Sequence, residues 1–183
     1  MDESKRPTRR QLGAVMAAAT SGLAAPALAS PDPTPAMTHV FDLDIEVAPA
    51  QELGQVGGGR RRVIPITGGG LNGPGIKGVV LPGGADWQTI RPDGVTLLQA
   101  RYTIRLDDGE TVGVINTGVR RASPDVVRRL TAGEVVDPAL YYFRATPVFE
   151  VGSGPNGWLT ESVFLSLGER LPDRVRLKVF RVD

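Results

Sequence analysis

The feature that most constrains this chain is a two-residue hydrophobic alternation, recurring in short blocks that glycines and prolines separate. Phe41, Leu43, Ile45 and Val47 alternate with Asp42, Asp44 and Glu46, so an extended backbone places every apolar group of the block on one face. The block from Thr96 to Asp107 repeats the pattern. Leu98, Ala100, Tyr102, Ile104 and Leu106 fall on one side, and Gln99, Arg101, Thr103 and Arg105 on the other. Asp108-Gly109 is a hairpin signal and Thr111–Thr117 returns from it. Further strands are expected at Arg62–Thr67, Ile76–Leu81, Asp86–Arg91, Tyr142–Val151, Leu159–Leu167 and Arg174–Val182. Abundant turn formers, 23 Gly and 15 Pro, agree with short strands rather than long helices.

One helix is expected to interrupt them. Ser123 is a good N-cap, Pro124 suits the first helical position, and Asp125 complements the helix dipole. Val126, Val127 and Leu130 give it an apolar side, and Gly133 ends it. About nine closely spaced strands with one short helix predict an all-β, antiparallel barrel, with a two-sheet sandwich as the alternative. Pro65 and Pro147 lie inside strand patterns, and each demands a bulge or an unpaired edge.

The N-terminal segment has a different grammar. Thr8-Arg9-Arg10-Gln11-Leu12-Gly13 resembles a twin-arginine export motif, an Ala-rich apolar stretch follows, and Ala27-Leu28-Ala29 matches a small-x-small cleavage site. Residues 1–29 are therefore read as a twin-arginine signal peptide, 30–38 as a Pro-rich linker, and 39–183 as the barrel domain. The expected location is periplasmic or secreted, with the export machinery as a partner. A cytoplasmic form results if translation starts at Met37. The apolar run is too short for a stable membrane span.

Charge and composition exclude several function classes. The whole chain is +1 and the leader carries +2, which leaves −1 for the remainder. A near-neutral domain has no bulk electrostatic reason to bind nucleic acid. Arg60-Arg61-Arg62 is the only dense basic run, and a strand would split it between two faces. There is no Cys and His39 is the only His, so thiolate chemistry, Cys-ligated zinc and multi-His metal sites within one chain are excluded. No cofactor is expected. Gly68-x-Gly70-x-x-Gly73 matches a dinucleotide fingerprint in form, but Pro74-Gly75 and a new strand follow where a helix N-terminus is required.

Candidate site residues come from polar groups placed on strands. Asp86 and Gln88 share one strand face and Trp87 takes the other. Tyr142, Arg144 and Thr146 share a face of the YYFRATPVFE strand, where Arg144 makes either a structural salt bridge or a carboxylate clamp. Arg62, Asp86, Gln88, Asn116, Tyr142 and Arg144 are expected to converge in one cavity, with Trp87 or Trp158 as an apolar wall. Asp86 is the expected base if the protein is an enzyme. The expected ligand is a small molecule carrying a carbonyl, carboxylate or hydroxyl group.

The blocks GGGRRRVIPITGG, LPGGADWQ, RYTIRLDDG, INTGVR, YYFRATPVFE and GWLTESVFLSLGER, in this order, resemble the domain-of-unknown-function family 3237, also called uncharacterised protein family 0311. The resemblance spans Phe41 to Val182 and implies a small barrel of calycin-like appearance. It implies no activity. Thr160 stands where the family pattern has Asn, so a ligand contact there would alter specificity. Two classes of function follow: a small-molecule-binding barrel, either a carrier or a metal-independent enzyme, or a non-catalytic structural or interaction domain.

Overall fold

The computed structural model describes residues 34–183. The twin-arginine leader and linker residues 30–33 lie outside the described residues. Nine strands are present: β1 (Met37–Val47), β2 (Gln51–Val56), β3 (Gly59–Gly73), β4 (Ile76–Ile90), β5 (Thr96–Leu106), β6 (Thr111–Ala122), β7 (Tyr141–Glu150), β8 (Phe164–Arg170) and β9 (Arg174–Val182). The sheet runs β1-β9-β8-β7-β6-β5-β4-β3-β2, and a β1–β3 pairing closes it. Eight strands thus form an antiparallel barrel, and β2 is an extra strand hairpinned onto the first part of β3.

Two local features shape the closure. Pro82-Gly83-Gly84 forms a bulge in β4: pairing with β5 stops at Leu81 and resumes at Ala85. Gly83 holds φ +106, a conformation that side chains with a Cβ avoid. The expected strands Ile76–Leu81 and Asp86–Arg91 are therefore one bent strand, because a bulge re-aims a strand without ending it. Opposite it, β3 pairs with β4 up to Pro65 and again from Gly70, so Pro65 sits at a bulge as anticipated. Pro147 uses the other solution. The β7–β8 ladder is confined to Arg144 and Ala145, leaving the rest of that β7 edge without a partner.

The sequence reading missed β2, whose residues are exposed throughout and show no apolar face. It also extended β8 too far back: Gly157–Thr160 is a short 3-10 turn and the strand begins at Phe164. The helix α1 (Pro124–Thr131) forms where expected, with the Ser123 side chain accepting from the Val126 N–H and Gly133 at φ +79 after its end. The glycines of the dinucleotide-like pattern lie within β3, and a Cβ at Gly73 would collide with the Val40 carbonyl oxygen and with Phe41. They sit on a paired strand that leads into β4, with no helix N-terminus after them to hold a phosphate. No helix among the described residues is long and apolar enough to cross a membrane.

Antiparallel closure sorts the interior into two ends. The starts of β1, β4, β6 and β8 meet the ends of β3, β5, β7 and β9 at one end. There Phe41, Ile76, Leu106, Val112, Phe149 and Phe164 are buried. Phe149 stands edge-on to Phe41 and Phe164, with ring centroids 5.8 and 5.1 Å apart. At the other end the interior turns polar.

Candidate functional site

The polar end is built from the closing residues of β4, β6 and β8 and the opening residues of β3, β5 and β7. Its backbone is a directional hydrogen-bond chain. Arg62 Nε donates to Gln88 Oε1 at 2.9 Å, and Gln88 Nε2 donates to Asp86 Oδ2 at 2.6 Å. The second carboxylate oxygen of Asp86 accepts from the Gln99 backbone N–H at 3.1 Å. Gln88 is only 2% exposed, so its amide orientation is fixed at both ends: a donor must reach its oxygen and an acceptor its nitrogen.

Burial raises the Asp86 carboxyl above its ordinary value, more than the hydrogen bonds from Gln88 and Gln99 and the charges of Arg120 and Arg62 lower it. Tyr102 lies beside it on β5. Burial, with Asp86 adding to it, pushes that phenol well up. Tyr102 Oη and Asn116 Oδ1 are both buried without a hydrogen-bond partner. Such orphans cost about 1–3 kcal/mol each.

Two spaces meet at this end. An interior cavity of about 40 Å³ is walled by Asp86, Gln88, Tyr102 and Asn116 together with apolar groups of β1, β3 and β9. A vestibule of about 270 Å³ lies outside it, partly under α1, with Ile90, Val127 and Leu130 among its walls. Arg120 and Arg170 line both spaces, and Arg62 lines the vestibule while reaching Gln88 in the cavity. The three guanidinium groups form a collar between them. Arg120 is partly buried. That burial, with Arg62 and Arg170 nearby, lowers it to about 10, so it remains a cation at neutral pH. Arg170 is anchored from behind: its backbone N–H donates to Tyr141 Oη at 2.9 Å, and its guanidinium donates to the carbonyls of Leu171 and Arg174.

The sequence-predicted residues divide cleanly. Arg62, Asp86, Gln88 and Asn116 come together at the polar end. Tyr142 and Arg144 do not. Both lie on the outer face of β7, where Tyr142 is 42% exposed. The guanidiniums of Arg121 and Arg144 each lie over its ring, 5.2 Å from the centroid. The residues do share a face, but Tyr141, Phe143, Ala145 and Phe149 are the more apolar row and take the interior. Trp87 also faces out, 38% exposed. Trp158 follows the end of β7 and packs against Phe164 at the apolar end, centroids 5.8 Å apart, so it walls no part of the polar cavity. Thr160 closes the same turn, its hydroxyl donating to the Gly157 carbonyl at 2.9 Å. Position 160 thus belongs to the closed end, away from the polar cavity, where a difference in specificity would have to arise.

Arg120, Arg170 and Tyr102 were not singled out from the sequence. The signal existed. Arg120 shares strand parity with Val112, Val114 and Asn116, and Arg170 with Phe164 and Ser166, all interior positions. Among the described residues no group of three His, Asp or Glu side chains has the geometry to hold a metal.

Residues 35–182 match the profile of the family described as "Protein of unknown function (DUF3237)". A UPF0311 protein of Rhodopseudomonas palustris is 41% identical over 150 residues, covering 82% of this chain and 98% of the relative. Its crystal structure superposes with a TM-score of 0.81, covering 82% of this chain and 99% of that one. A UPF0311 protein of Clostridium acetobutylicum is 42% identical over 146 residues, 79% of this chain and 92% of the relative. A structure from Acinetobacter baumannii, described as a beta-barrel like protein, is 33% identical with a TM-score of 0.72, covering 82% of this chain and 98% of its own. The closed antiparallel barrel, the matched span and these relatives together make the chain a member of the DUF3237 family, also named UPF0311.

Proposed function

We propose that the barrel binds a small oxygenated organic molecule at its polar end, and that Asp86 exchanges a proton with it. The observation that carries this reading is the pair of orphaned polar atoms, Tyr102 Oη and Asn116 Oδ1, on the same small cavity as Asp86. A plain core would have replaced such groups with apolar ones, and polar interiors without full pairing are tolerated mainly at sites. A carbonyl or hydroxyl group entering the cavity would meet a phenol donor, an amide and a carboxyl held toward its protonated form. That set suits acid–base chemistry without a metal. Native mass spectrometry of the purified protein mixed with cell extract tests it. The expected result is a bound small organic molecule whose occupancy drops in Asp86→Asn and Tyr102→Phe. A protein that stays unliganded across extracts and variants refutes it.

The second reading is a non-catalytic structural or interaction domain. The modest cavity, about 40 Å³, favours it, because ligand pockets are commonly roughly 300–1,000 Å³. A high-resolution structure with ordered waters bridging Tyr102 and Asn116, and no exchange with solutes, would select this reading.

Export is part of the proposal. Arg9 and Arg10 with the Ala27-Leu28-Ala29 site support twin-arginine translocation to the periplasm or beyond. Replacing both arginines with Lys should retain the precursor in the cytoplasm, and undiminished periplasmic accumulation would refute it.

A further inference from the structure

We propose that the barrel mouth selects an organic carboxylate: the acid group docks on the collar of Arg62, Arg120 and Arg170, and its apolar body lies in the vestibule beneath α1. This rests on the ligand-binding reading above and adds the charge class of the ligand.

The first support is an imbalance of charge. No carboxylate lines the vestibule, and Asp86 is the one acid on the interior cavity. Among the described residues none of the three collar guanidiniums lies within ion-pair distance of a carboxylate, whereas Arg60 at the rim is paired with Glu52 at 3.3 Å. Arg120 goes further. Among the described residues its guanidinium makes no hydrogen bond, and it rests 5.9 Å from the centroid of the Phe143 ring. Neighbouring cations drawn partly out of water are costly unless an anion joins them. The collar is built, not accidental, since Arg62 is held by Gln88 and Arg170 by backbone carbonyls.

The second support is the shape of the walls. Ile90, Val127 and Leu130 border the vestibule next to the collar, so one compact space offers cations on one side and an apolar surface on the other. Guanidinium groups match a planar carboxylate through paired N–H donors. Asp86 does not oppose this occupant, because it sits behind the collar with its oxygens engaged by Gln88 and Gln99.

The test compares cinnamate with cinnamamide, which share shape and differ in charge, by calorimetric titration of the full-length protein. The expected result is an affinity for cinnamate at least about tenfold higher, equivalent to about 1.4 kcal/mol, and falling as salt is raised. Arg120→Met should remove the preference, while Arg105→Gln, on the outer face of β5, should keep it. The acid–amide comparison is made on the unaltered chain, so it stands even if Arg120→Met fails to fold. Equal binding of acid and amide, with both weakened by Asp86→Asn, overturns the charge selectivity and leaves the binding reading intact. No binding of either compound overturns both.

Discussion

The two ends of the barrel interior use the same eight strands and opposite chemistry. At the closed end Phe41, Ile76, Leu106, Val112, Phe149 and Phe164 interlock, with Trp158 packed against them. At the mouth the equivalent layers carry Arg62, Asp86, Gln88, Asn116, Arg120 and Arg170. Apolar packing stabilises in proportion to area removed from water, whereas the mouth must offset the desolvation of charges with hydrogen bonds. The closed end therefore supplies stability, and the mouth spends part of it. The contrast also explains why the short β7–β8 ladder is tolerable: beyond Arg144 and Ala145 the two strands are held by Phe149 against Phe164 rather than by backbone pairing.

The largest expected effect breaks the closed end. Phe149→Ala should cost about 3–5 kcal/mol, read as a lower urea midpoint at unchanged slope. A loss under about 1 kcal/mol would mean the aromatic cluster does not anchor the barrel. At the mouth, Gln88→Met keeps volume but strands both Arg62 Nε and Asp86 Oδ2. It should cost about 1–3 kcal/mol by the same measurement, and a neutral result would show that water substitutes for the amide.

A subtler difference lies in pH dependence. The folded Asp86 carboxyl is raised above its ordinary value of 3.8. Between the unfolded and folded pKa values the native chain therefore holds a proton that the unfolded chain has released. Stability contributed by this group is full below 3.8 and falls as pH rises through the raised value. Subtracting the urea profile of Asp86→Asn from that of the parent should isolate this fall. A difference that instead grows with pH would mean Asp86 is a stabilised carboxylate. The smallest effect is expected outside the barrel. Tyr142→Ser should cost no more than about 1 kcal/mol, the scale of exposed cation–π contacts, and should leave cinnamate affinity unchanged. A large loss of affinity would return the outer face of β7 to the site.

Period-two alternation made the barrel legible in advance, because a strand that buries one face repeats its apolar residues every second position. The helix was legible for a similar reason: Ser123, Pro124 and Gly133 act through local backbone chemistry. β2 was not, since an added outer strand needs no apolar face. The merger of two expected strands into β4 was hidden too, because Pro82-Gly83-Gly84 reads equally well as a turn or a bulge.

For the site, the sequence by itself determined which side chains share a strand face: Asp86 with Gln88, and Tyr142 with Arg144. Which face turns inward was decided by competition between rows. On β7 the row of Tyr141, Phe143, Ala145 and Phe149 buries more apolar surface than the row of Tyr142 and Arg144, so the arginine faces solvent. Only the closed barrel brought Arg62, Arg120 and Arg170 to one collar, from strands far apart in the chain. Alternation is a property of neighbours along the chain, but a collar is a property of shear and closure, which set which residues of different strands meet at the mouth.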